Sequence, residues 1–130
     1  MTRFTQLLLT LLLVVPCAEK GFAQDKVDFE ARGRAFVTAV FSGDEAGAVA
    51  MMNDVMKDKM GAAGIQQMRG QLTQQVGAFK SITGVRVEPG PQNYQFSIAS
   101  CEFEKASLGI RVVLEPDGKV AGVQIVPPGR

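Results

Sequence analysis

Apolar positions from Phe29 to Phe41 return every three or four residues. Phe29, Phe36, Val37, Val40 and Phe41 gather on one side of a helix, leaving Glu30, Arg32 and Arg34 to face outward. Asp25 suits the N-cap, and Ser42-Gly43-Asp44 both stops this helix and caps a second. Val49, Met52, Met56 and Met60 carry the same spacing onward, with a kink expected at Asn53-Asp54, residue types that favour caps over helix interiors. Gly61-Ala62-Ala63-Gly64 reads as a break between helices. Ile65, Met68, Leu72, Val76 and Phe79 then form the cleanest stripe in the chain. Its other face is Gln66, Gln67, Gln71, Gln74 and Gln75, uncharged and read as solvated rather than as a partner contact.

Past Phe79 the period falls to two. Val85 and Val87 alternate with Arg86 and Glu88, a loop follows at Pro89 to Asn93, and Tyr94, Phe96 and Ile98 alternate with Gln95, Ser97 and Ala99. Cys101 and Phe103 lie on the opposite parity, so a bulge or sharp bend is expected near Ala99-Ser100. Leu108, Ile110, Val112 and Leu114 share one face of the next strand, and Val123 and Ile125 continue it after a Pro116-Asp117-Gly118 turn. Pro127 and Pro128 cannot extend a ladder, so the hairpin is expected to be the finished edge of a small domain. The fold class is α+β, with three N-terminal helices packed on a curved four-stranded antiparallel sheet.

The first residues change the picture of where this domain works. One Arg, an apolar run from Leu7 to Val15, Pro16 and then small residues around Ala23 make residues 1–23 a signal peptide, with a run too short to span a bilayer. Cys17 also permits a lipoprotein, a reading that Pro16 directly before it disfavours. Export to the periplasm or the medium, without stable membrane insertion after cleavage, is therefore expected of a single domain at residues 24–130. Removing Arg3, Glu19 and Lys20 leaves as many basic as acidic side chains, so no electrostatic footprint for nucleic acid remains. Cys101 is then the one cysteine left, read as a buried, inert thiol.

Candidate chemistry is thin. The chain has no His, which removes the commonest general base and metal ligand. Neither a zinc spacing nor an EF-hand register occurs, no cofactor is implied, and Gly61 to Gly64 lacks the Lys and Ser or Thr of a phosphate loop. Glu102 and Glu104 share one strand face, and Asp54 and Asp58 stand one helical turn apart, yet both pairs read as wet surface. Met51, Met52, Met56, Met60 and Met68 remain, either as core filler or as the lining of an adaptable apolar cavity.

The stretches Ala35 to Asp54, Val76 to Gly84 and Cys101 to Pro128 resemble a bacterial domain family of unknown function. The marks are Gly43-Asp44, Gly77 with Phe79, Cys101 to Glu104, Asp117 to Lys119, and Gly122, in that order. The resemblance implies a nuclear-transport-factor-two-like fold, the cystatin-like cone in which a curved sheet wraps a long helix around an internal pocket. It brings no catalytic residues. Relatives also stand ahead of alpha/beta-hydrolase domains, but no G-x-S-x-G elbow follows the hairpin here, so hydrolase chemistry is not expected of this polypeptide.

The leading expectation is a non-catalytic exported domain that binds a small apolar molecule, a peptide or a protein partner through the cone pocket or the sheet face. Phe36, Val40, Met52, Met56, Leu72, Tyr94 and Phe96 are the pocket candidates. Two alternatives stand beside it. One is an isomerase- or cyclase-type enzyme in which Tyr94 and an acidic neighbour move a proton; the other is a homodimer through an outer sheet face carrying Arg111, Val113, Gln95 and Ser97.

Overall fold

The computed structural model describes residues 27–128, so the expected signal peptide and Cys17 lie outside the described residues. Helix α1 spans Phe29–Ser42. Its N-cap is Asp28, whose Oδ1 accepts the Ala31 N–H at 3.0 Å, three residues later than the expected cap at Asp25. Asp44 caps α2, Glu45–Ala50, by accepting the Gly47 N–H at 2.9 Å.

The second expected helix is two helices. Asn53 does more than kink the run: its Oδ1 accepts the Met56 N–H at 2.8 Å and starts a separate α3, Asp54–Lys59. Among the described residues there are thus four α-helices rather than three. The segment from Gly61 to Gly64 is not a break, since it forms the first turn of α4, Gly61–Val76, and the interruption falls one residue earlier at Met60.

The strands are β1, Phe79–Pro89; β2, Gln95–Phe103; β3, Ser107–Leu114; and β4, Val120–Val126. They form one open antiparallel sheet in the order β1-β2-β3-β4. The expected irregularity near Ala99-Ser100 is absent. β2 pairs with β3 in one unbroken register, while the register shifts lie across from it on β1, between Phe79 and Ser81 and between Ile82 and Gly84. Two bulges in one edge strand bend the sheet there.

With β2 regular, its parities separate the two faces. Ala99, Cys101 and Phe103 join Ile110, Val112, Leu114 and Val120 in the core beneath the helices. Phe96 and Ile98 therefore face the other side, where Ile98 pairs with Arg86 and Arg111. Arg111 lies 5.0 Å from the centroid of the Phe96 ring and donates to Gln124 Oε1 at 2.9 Å. Arg111 and Val113 do lie on the outer face, but Gln95 and Ser97 do not, because Ser97 is fully buried under α1.

That contact sets the height of α1 above the sheet. Gly33 is buried in the helix, and a Cβ there would fall 2.5 Å from the Cβ of Ser97 and closer still to its Oγ. At the other end of the sheet Phe41 stacks on Phe79 at 4.6 Å between ring centroids, and both meet Phe103 edge-on at 5.4 and 5.6 Å. Arg69 of α4 ties α1 to α2 by donating to Val40 O at 2.8 Å and pairing with Glu45.

The β3–β4 turn has the expected form. Gly118 N–H donates to Glu115 O at 2.7 Å, Glu115 N–H donates to Lys119 O at 2.9 Å, and Gly118 takes φ 93°, the left-handed conformation of a bulged three-residue loop.

Candidate functional site: a groove along the edge of β4

The end of β4 nearest the turn is partly covered by the chain between α2 and α3. Met52 forms an isolated parallel bridge with Val120, made by Val120 N–H to Met51 O at 2.8 Å and Asn53 N–H to Val120 O at 2.9 Å. Asn53 then leaves the plane of the sheet, and its Nδ2 donates to Glu115 Oε2 at 2.7 Å. One side chain thus starts α3 and fixes it to the hairpin.

Beyond this stitch the edge of β4 runs along a groove of about 740 Å³. Val55, Met56, Lys59, Met60 and Gly64 line one side; Ala121, Gly122, Val123 and Gln124 line the other. Successive strand residues point to opposite faces, so four in a row can border one groove only along the strand's edge. At Gly122, which has no side chain, the groove opens onto the outer face and reaches Val113 and Tyr94. Its size suits a small ligand or a few residues of peptide. A second depression, about 580 Å³, follows the outward face of α1; its walls are that helix, its cap Asp28, and Asp44, the cap of α2.

The pocket candidates divide. Phe36, Val40, Met52, Met56 and Leu72 come together in one hydrophobic cluster. Phe36, Val40 and Met52 are at most 1% exposed, so they stand in the core, and Met56 is the member that also reaches the groove. Tyr94 lines the groove from the outer side, away from that cluster, and Phe96 lies under Arg111. Val55 is a groove residue the sequence reading did not name, with an exposed Val in a charged helix as its available signal, while Val113 and Gly122 were named only as an outer-face residue and a family mark.

Acid and base groups do not converge here. The acidic residue lining the groove with Tyr94 is Glu115, which Asn53 already engages. Glu104 accepts the Ala78 N–H at 2.9 Å and so closes the junction of α4 with β1, while Glu102 is exposed. Cys101 is buried, and burial pushes its thiol up to about 11. Among the described residues no group of three or more Cys, Asp and Glu could hold a metal ion, and no helix is long and apolar enough to cross a membrane.

A family model described as a protein of unknown function, DUF3887, covers residues 34–123, from α1 to β4. Neither the curated proteins nor the solved structures contain a match.

Proposed function

The chain belongs to the DUF3887 family of proteins of unknown function, and from that position we propose that it is an exported, non-catalytic binding domain whose ligand lies in the groove along β4. The ligand class is a small apolar molecule or an apolar segment of a peptide or protein partner. The observation that carries this reading is the groove itself, with Met56, Met60, Val55, Val113 and Val123 as its apolar lining and Tyr94 at its outer end. Flexible Met side chains let such a surface accommodate varied apolar shapes.

The reading places binding at the rim of the helix–sheet sandwich rather than inside a cone. The helices over one face of an open sheet and the bulged β1 support a nuclear-transport-factor-two-like relationship. Export rests on the apolar run from Leu7 to Val15 and the small residues up to Ala23.

The binding test uses the fluorescent apolar dye 1-anilinonaphthalene-8-sulfonate with the processed protein. Saturable binding by the native protein, weakened several-fold by Val55→Lys and by Val113→Gln, supports the groove. Absence of saturable binding, or equal binding by both variants, overturns it. Export is checked by N-terminal sequencing of protein recovered from the cell envelope, with Gln24 expected first.

A further inference from the structure

The two edges of the sheet differ in charge and in how far they are interrupted. β1 is interrupted by two bulges and carries Lys80, Arg86, Glu88 and Pro89, the devices by which a sheet edge resists pairing with another chain. β4, Val-Ala-Gly-Val-Gln-Ile-Val, has one irregularity, at Ala121 between the pairs Val120–Leu114 and Gly122–Val113, but from Gly122 onward it keeps an unbroken register. It carries no charge and no proline, and its Ile125 is 42% exposed. Among the described residues nothing pairs with the outer edge of β4, the one away from β3, beyond Val120.

We propose that this edge is the contact through which two copies of the chain associate, β4 against β4 in antiparallel register about Gln124, giving one continuous eight-stranded sheet. The inference goes beyond the groove reading, and because Gly122, Val123 and Gln124 also line the groove, a paired strand and a ligand compete for that part of the edge.

The second copy is the occupant because the open edge is self-complementary. Met52 already covers Val120 at one end, and Pro127 stops the ladder at the other, so the free stretch is Gly122 to Val126 with Gln124 at its centre. A two-fold axis at Gln124 sets Val123 of each copy opposite Ile125 of the other. Both residues lie on the helix-bearing face, where they pair with Val112 and Ile110 of their own sheet. A two-fold axis through the sheet keeps the helix layers on one side, so opposed residues must share a face, and this register satisfies that condition. An axis at Val123 instead sets Ile125 opposite the small Ala121 beside the already covered Val120, and an axis at Ile125 sets Pro127 opposite Val123 within the ladder. No like charges face each other, because the strand has none. Pro127 of each copy then comes beside Ala121 of the other, at the mouth of the groove.

The experiment measures the mass of the processed protein by sedimentation at about 50 µM, a level at which a modest interface is populated. A dimer is expected. Ile125→Lys, at an exposed position, should be monomeric with an unchanged circular dichroism spectrum, and its melting point should lose the concentration dependence that a dimer shows. Gln124→Cys should cross-link to itself under mild oxidation, whereas Arg86→Cys on the opposite edge should not. A monomeric native protein overturns the proposal, as does a dimer that survives Ile125→Lys or that cross-links through Arg86→Cys. Dye binding separates the two readings when it is measured on monomeric Ile125→Lys, a position outside the groove lining: binding there leaves the groove standing whatever the mass of the native protein, and no binding removes the groove while the edge contact is still judged by mass and cross-linking.

Discussion

Gly33 of α1 lies directly against Ser97 of β2, and neither has room to grow. Ser97 is fully buried, and its Oγ has no hydrogen-bond partner among the described residues. Ala in a helix interior is ordinarily favoured over Gly by about 1 kcal/mol. Here Gly33→Ala should destabilise instead, by roughly 1–3 kcal/mol, because the added methyl overlaps Ser97 and forces α1 off the sheet. Adding Ser97→Gly should recover most of that loss, since the nearest remaining atom, Ser97 Cα, is 3.7 Å away. Urea unfolding of the two single variants and the double variant measures the coupling; additive effects would remove the proposed contact.

Asn53 predicts a different kind of loss. Asn53→Ala removes the cap of α3 and the hydrogen bond to Glu115 together, a cost of about 1–3 kcal/mol. Glu115→Gln keeps an acceptor for Nδ2 and should cost less than half as much. Hydrogen exchange should show the Asn53→Ala effect concentrated in α3 and the β3–β4 turn, not spread over the sheet.

The Glu45–Arg69 pair sets an acid dependence. The hydrogen bond from Arg69 holds the Glu45 carboxyl below its ordinary value of 4.5. A lowered folded value means the contribution is fully present above about pH 4.5 and is lost as pH falls through the folded value. Glu45→Gln should therefore flatten part of the stability profile below pH 4.5 and leave the profile above it parallel to the native one. Melting temperatures across that range check the sign.

Cys101 sets the alkaline counterpart. Its thiol ionises near 9.0 when exposed and at about 11 when folded, so stability is unaffected below 9.0 and falls as pH rises towards 11. Cys101→Ala should remove that fall at a cost of about 1 kcal/mol from lost packing at neutral pH. A thiol reagent at pH 8 should label the native protein far more slowly than the urea-unfolded protein, and equal rates would contradict the burial.

The helical half of the chain was legible because its signals are local. The stripe from Ile65 to Val76 and the Ser42-Gly43-Asp44 junction follow from spacing and caps. Asn53 was recognised as an interruption, but whether an Asn bends a helix or begins another depends on Glu115, 62 positions away. The strands were legible in number and order but not in facing. β2 is apolar on both sides, with Phe96 and Ile98 outward and Ala99, Cys101 and Phe103 inward, so alternation alone cannot say which side meets the helices. Ser97, the most polar of the buried positions, was placed outside for the same reason; only the missing side chain of Gly33 shows why it is inside. The groove was the least legible part, since it joins α3 to an edge of β4 that local sequence does not place beside it.

The bridge between Met52 and Val120 has a consequence for the order in which the molecule can form. A chain made from its N-terminus contains α1 to α4 well before β4 exists. Until Val120 arrives, the backbone around Met51 and Asn53 has no strand to join and α3 has no hairpin to rest on. Such distant pairings are slow to close, so the final strand completes both the sheet and the placement of a helix encoded near the middle of the chain. Removing β4 should cost the protein its α3 as well as its last strand.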